Sequence, residues 1–519
     1  MRFLVAAVAA LMLALPAQAQ DWWYAETAHF IIKSRSSKDD TLEFAAKVER
    51  FDRGMRFLQG LPEDHVEESH ANKPIIYRLR DPRTISRLAG AGGGGVLGFF
   101  IPRAGHSVGF APVRQSRSNN SRARRDRTSD PNETLFHEYT HYFMMQNVPA
   151  TYPRWYSEGY AEMMSTMRFH DDGSFHIGDP PQDRYHQVME MSQSRLNEML
   201  DNDHEVNFVD YIQHYGTGWL LTHYLSFDVE REAKLREFLF ALGNGEDSLT
   251  AAERIFGDLN ELQREILRYR RDDFPGYNVR PNLLAEPEVS IRPIEGAEDA
   301  AIQEEMELWI GVSEDEAAGV AAKLRAVVAE YPDSAHAYML LAEAEHDAGK
   351  LQAAQEAAAR AVELDPENQH AWLYRGRIAL KMAEDDPAQY EVARDHIASA
   401  RTIDLDDPRP LIDYYESYYE ESGGQDIPEH AIIALEQAYD TAGSDTRYRL
   451  LLGRQLVNES RFQEATVVML PALFSGHSFD NVDEDDFTPN RLFTALEAQD
   501  RTRALELINK VLEPEEEED

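Results

Sequence analysis

"PDSAHAYMLLAEAE" (residues 332–345) and "PENQHAWLYRGRIA" (residues 366–379) align over their whole length, and their leading prolines stand 34 residues apart. Each starts on a helix breaker and continues with apolar residues at helical spacing. Gly349 supplies a turn after the first stretch, and Ala354 and Ala361 supply small positions where a second helix can pack closely. A helical unit of this length cannot bury its apolar face alone, so it must stack on copies of itself.

The placing of large, small and breaker residues (Tyr338, Leu341, Gly349, Ala354, Ala361, Pro366) resembles the tetratricopeptide (TPR) repeat. The next unit keeps Trp372 and Gly376 and accepts an insertion at "EDDPAQY" (384–390); a later one keeps Leu452, Gly453 and Ala465. The resemblance implies an all-α TPR-like solenoid of about four units over 300–512. Its groove would bind a peptide or an envelope protein partner. An irregular helical bundle is the alternative. The last residues, 513–519 ("EPEEEED"), read as a solvated acidic tail.

Moving toward the N-terminus, 275–299 holds four prolines between 275 and 293 without periodicity and reads as a linker. Residues 20–274 read as a mixed α and β domain. "HFIIKS" (29–34), "PIIYRLR" (74–80), "VLGFFI" (96–101) and "SVGFAPV" (107–113) have strand character, and "LEFAAKVERFDRGMRFL" (42–58) has helical period. Six arginines crowd the aperiodic stretch 114–130, read as a loop. The first nineteen residues combine an early Arg2, an apolar run and "AQA" at 17–19, the pattern of a cleaved signal peptide. No later stretch is apolar enough to span a bilayer. The net charge of −41 excludes a general nucleic-acid binder, and the absence of cysteine excludes a disulfide scaffold. Together these predict an exported protein of a Gram-negative periplasm.

The chemistry concentrates in "ETLFHEYTHYFMMQ" (133–146). Asp130 as N-cap, Pro131 at the first helical position and Glu133 three residues after the cap predict a helix start there. His137 and His141 then lie one turn apart on one face and can share a tetrahedral metal ion. Glu138 is rotated about 100° from His137, so it reaches toward the metal's open side instead of ligating. In "YPRWYSEGYAEMM" (152–164), Glu158 and Glu162 again share a helical face. One carboxylate can ligate the metal, and the other can hold a ligand imidazole by its second nitrogen.

"HEYTH", sixteen residues, then "EGYAE" resembles the gluzincin zinc metallopeptidases, the clan of thermolysin and the zinc aminopeptidases, and more closely the peptidase-MA-like group. The resemblance implies an α+β zincin-like catalytic domain: a small mixed sheet with helices carrying the HExxH motif. It implies Zn2+ held by His137, His141 and Glu158, with Glu138 as general base and Glu162 behind a ligand histidine. "HYGTGWLLTHYL" (214–225) resembles the tyrosine helix of the aminopeptidase branch, which makes Tyr215 the donor to the oxyanion; His214 and His223 are lesser donors. No acidic motif for a free amino terminus precedes the zinc helix, which favours an endopeptidase over an aminopeptidase. "VGFAPV" (108–113) is placed to receive a substrate as an added strand. The expected function is an exported zinc peptidase acting on peptide or protein. The alternative is a catalytically inactive, peptidase-like TPR adaptor of the periplasm.

Overall fold

The computed structural model describes residues 22–62, 68–90, 96, 98–113, 132–170, 172–182, 184–190, 195–201, 208–271, 274–279, 286–473 and 487–512. The signal peptide expected over 1–19, the loop 114–130, the glycines after Gly90 up to Gly95 and the tail 513–519 lie outside the described residues.

The described chain starts with β1 (Trp23–Glu26), β2 (Ile31–Ser34), α1 (Lys38–Leu58), β3 (Ile75–Leu79), α2 (Pro82–Leu88), β4 (Phe99–Ile101) and β5 (Val108–Pro112). Next come α3 (Glu133–Asn147), α4 (Arg154–Ser165), β6 (Arg168–Phe169), β7 (Phe175–Ile177), α5 (Tyr185–Glu190), α6 (Arg195–Leu200) and α7 (Phe208–Ser226). Helices α8 (Val229–Gly243), α9 (Ser248–Phe256) and α10 (Leu259–Tyr269) lead to β8 (Tyr277–Val279) and β9 (Ser290–Pro293). The remainder is helical: α11 (Ala297–Ile310), α12 (Glu314–Glu330), α13 (Ala335–Asp347), α14 (Leu351–Leu364), α15 (Gln369–Ala383) and α16 (Gln389–Ile403). It continues as α17 (Arg409–Ser422), α18 (Glu429–Thr441), α19 (Thr446–Asn458), α20 (Phe462–Leu473), α21 (Pro489–Glu497) and α22 (Arg501–Leu512). Among the described residues no helix is long and apolar enough to cross a membrane.

Six strands form one mixed sheet in the order β4-β5-β3-β2-β1-β9. β2, β3 and β5 run parallel, and the outer pairings are antiparallel. Side chains alternate between two faces, and both faces are apolar. Ile32, Ile76 and Ala111 point into a core shared with α1, α3, α4 and α7. Ile31, Ile75, Tyr77, Val108 and Phe110 point into a second core. That second core is completed by α11 to α15, through Trp309, Leu340, Ala358 and Tyr374 among others. Apolar residues on both faces of the central strands are what a sheet covered on both sides requires, and Lys33, Ser34 and Arg78 are buried polar exceptions.

Two expectations need correction here. The stretch 275–299 is not a free linker: it carries β8 and β9, and β9 pairs with β1, Glu26 opposite Ser290 and Trp23 opposite Pro293. Prolines suggested a loop, but β9 is an edge strand and an edge tolerates them. "VGFAPV" does not offer a free edge, since β5 is paired on one side with β3 and on the other with β4. Among the described residues, the edge on that side belongs to β4.

Helices α11 to α22 pack as consecutive pairs in a TPR-like solenoid. The repeat counted from sequence covers fewer pairs, because the outer ones lack its large and small signature. Gly376 and Gly453 mark close crossings: a Cβ on Gly376 would press on Ile397, and one on Gly453 on Met469. The insertion within the second repeat lengthens the turn between its helices α15 and α16.

The solenoid grips the sheet by the turn between β4 and β5. Gly105 and His106 both take left-handed backbone conformations, φ 61° and 55°, which tightens the turn. Ala104 N–H donates to Asp445 Oδ2 at 2.8 Å, Arg103 donates to the Ile310 carbonyl at 3.1 Å, and His106 stacks on Trp309 at 4.4 Å. The turn thereby forms one end of a cavity of about 540 Å³ on the solenoid, lined by α11, α13, α15 and α17.

Candidate metal centre

Helix α3 starts at Glu133 with Asn132 as its N-cap, whose side chain makes no cap hydrogen bond. The expected cap and proline, Asp130 and Pro131, lie outside the described residues. The helix is pinned along its length by tertiary contacts instead. Tyr139 donates to Asp52 Oδ1 of α1 at 2.7 Å, and Arg56 holds the other oxygen of that carboxylate at 2.7 Å. At its far end Gln146 donates to the Thr441 carbonyl and accepts from Ser444 N–H, both in the solenoid.

This scaffold turns His137 and His141 toward α4. Their Nε2 atoms lie 3.2 Å apart. Glu158 Oε2 stands 3.3 Å from His137 Nε2 and 3.7 Å from His141 Nε2. The structure therefore brings these three sequence-predicted ligands together as a group able to hold one metal ion. Glu158 is fully buried, and His137 is nearly so. Burial lowers the pKa of the His137 imidazole, but the hydrogen bond it donates to Glu158 and the charges of Glu162 and Glu138 outweigh it and raise the value to about 9. The site is thus built to attract positive charge, whether a proton or a cation.

The second nitrogens are also engaged. His141 Nδ1 lies 3.0 Å from Ser157 Oγ, and His137 Nδ1 lies 3.7 Å from Glu162 Oε1. Glu162 Oε1 in turn accepts from Arg184 Nε at 3.2 Å. Such partners fix which way each ring faces. Glu138, half-buried, is the next residue along α3 and acts on His137 through its charge.

Tyr215 comes from α7 and stacks on His137 with ring centroids 5.6 Å apart. Its arrival depends on a backbone contact. A Cβ on Gly159 would overlap the carbonyl of Gly218, and one on Gly218 would overlap the carbonyl of Trp155. Two glycines thus let α4 and α7 cross at backbone distance, one turn from Tyr215. The His214 side chain lies outside the described residues. His223 faces elsewhere: its Nε2 bonds the Gly178 carbonyl at 3.1 Å and its Nδ1 the Tyr269 hydroxyl at 2.9 Å. Burial holds its pKa down to about 4, so it is a neutral structural group with both nitrogens engaged.

Sequence reading missed Ser157, Arg184 and the Gly159–Gly218 pair. Ser157 stood next to Glu158 in the quoted stretch, and Gly218 was seen only as the end of a motif. Nothing local marked Arg184.

No family model and no curated protein matches the chain. Among solved structures, "MamA 41-end from Desulfovibrio magneticus RS-1" aligns with a TM-score of 0.27 at 16% identity, over 40% of this chain and 97% of that one. A similarity of that size carries no argument about either half.

Proposed function

We propose that this protein is a zinc-dependent peptidase. The observation that carries the reading is the convergence of His137 Nε2, His141 Nε2 and Glu158 Oε2, separated by 3.2, 3.3 and 3.7 Å. A tetrahedral zinc with bonds of about 2.0 Å spaces its ligand atoms by roughly 3.3 Å. Two imidazoles and one carboxylate are also the donor set of an open catalytic zinc site.

A zinc ion held there would supply Lewis acidity, polarising a peptide carbonyl and acidifying water. The chain's own residues do the rest. Glu138 takes a proton from the attacking water as its oxygen bonds to the carbonyl carbon, then delivers that proton to the leaving nitrogen as the C–N bond breaks. The Tyr215 hydroxyl donates to the carbonyl oxygen as charge builds on it. Ser157 and Glu162 keep the two imidazoles in their ligating orientation.

The export reading rests on the N-terminal pattern, and N-terminal sequencing of protein from a periplasmic fraction checks it. The solenoid favours protein or peptide partners. An inert adaptor would not need Glu138 beside a complete donor set, and one experiment separates the two. Glu138→Gln is expected to keep about one zinc per chain and lose at least 10²-fold of peptide cleavage, whereas His141→Ala loses the zinc. Purified wild-type protein with no transition metal by elemental analysis would end the peptidase reading. Zinc without cleavage of any peptide would favour a structural site in an adaptor.

A further inference from the structure

Arg184 supports Glu162 at the site, and most of its guanidinium is left over from that task. Arg184 sits where a turn closes: its N–H bonds the Pro181 carbonyl at 3.1 Å, and its own carbonyl receives Val188 N–H at the start of α5. The side chain is held at two further points. Its Nε donates to Glu162 Oε1 at 3.2 Å, and its guanidinium lies 4.5 Å from the centre of the Tyr215 ring. The side chain is 37% exposed, and among the described residues no hydrogen bond engages its two terminal amino groups. An arginine fixed by its Nε and by its flat face, with the outer fork left open, is prepared for a planar two-oxygen acceptor.

Distance sets which part of a substrate this is. Glu162 Oε1 is 3.7 Å from His137 Nδ1 and 3.2 Å from Arg184 Nε, so the guanidinium lies at most about 7 Å from a proposed metal ligand. An extended peptide advances about 3.3 Å per residue. The fork therefore reaches a group two or three residues from the bond being cut. Glu138, Glu158 and Glu162 make the surroundings acidic, and an anionic substrate needs a fixed counter-charge to enter them.

We propose that Arg184 is a specificity residue that binds a substrate carboxylate, either the chain's C-terminal carboxylate or an Asp or Glu side chain, two or three residues from the scissile bond. This rests on the peptidase reading. It makes Arg184 a contact to substrate and not only a support for Glu162.

The test uses full-length zinc-loaded protein and matched fluorogenic peptides: free acid against C-terminal amide, and internal Glu against Gln. Wild type is expected to favour the carboxylate member of one pair by about ten- to a hundredfold in kcat/KM. The pair that shows the preference identifies the source. Arg184→Gln should bring that ratio close to one through KM, with neutral peptides cleaved within about threefold of wild type, and Arg184→Lys should restore only part of it. Equal cleavage within both pairs by wild type would overturn the proposal. So would an Arg184→Gln protein slowed equally on acid and amide, the mark of a residue that merely holds Glu162. If zinc is bound but no peptide is cut, the peptidase reading fails separately. Peptide affinity for Glu138→Gln protein then decides: equal binding of acid and neutral members overturns the role of Arg184.

Discussion

Glu305 on α11 is fully buried, and it carries a charge. It meets Lys33 of β2, the Tyr77 hydroxyl of β3 and, at 3.1 Å, His336 of α13. Burial alone would raise its pKa, but the charges and hydrogen bonds of Lys33 and His336 lower it from 4.5 to about 2. A carboxylate depressed on folding stabilises the fold above its ordinary pKa, and that contribution is lost as pH falls from about 4.5 toward about 2. Glu305→Gln removes the nearer counter-charge of buried Lys33 and leaves it only Glu298, 3.9 Å away, so it should cost about 3 kcal/mol at pH 7 and flatten the pH dependence in that window. Urea midpoints at pH 7, 4 and 3 measure both effects. Tyr215→Phe works differently. It removes one donor and little packing, so zinc content and stability should hold while kcat falls about 10²–10³-fold. An unchanged kcat would remove Tyr215 from the mechanism.

The crossing of α4 and α7 carries the site's geometry. Gly159 and Gly218 meet backbone to backbone, so Gly218→Ala must push the helices apart and tilt Tyr215 away from His137. The expected cost is about 1–3 kcal/mol. The distinguishing readout is kcat, which should drop as in Tyr215→Phe while zinc stays bound. At this scale the sequence was readable where a signal is local. His137 and His141 need only helical spacing, and Ile31, Ile32, Ile75 and Ile76 need only β-branched runs between turns. Tyr215 was reachable through a resemblance, since seventy-odd residues separate it from His137. Arg184 and Ser157 were not legible, because their roles exist only once α4 and α7 have been packed. The same holds for β5: its strand character is written in Val108 to Pro112, but its two neighbours are not.

The half that carries α3 and the half that forms the solenoid are not separable pieces. Among the described residues, the face of the sheet bearing Ile31, Ile75, Tyr77 and Val108 is covered by α2, through Ile85, and over the rest by α11 to α15, and α3 itself is bonded to the solenoid through Gln146. A chain cut after residue 296 should be insoluble or lack near-ultraviolet circular dichroism, and the full chain should lose zinc and solenoid structure in one thermal transition. A soluble, cooperatively melting fragment would show instead that the halves are separable. The prolines of 275–299 concealed this unity, because composition reports a loop while the pairing of β9 with β1 depends on a partner far back in the sequence. That pairing also sets a timetable. A ribosome delivers Glu26 early and Ser290 much later, so β1 keeps an open edge through most of synthesis, and the apolar sheet face waits longer still for Trp309 and Tyr374. Long-separated contacts slow folding, and an uncovered strand edge invites other chains. Nascent chains held at residue 274 should therefore be chaperone clients, and release from that state should come only once residues beyond about 380 have emerged.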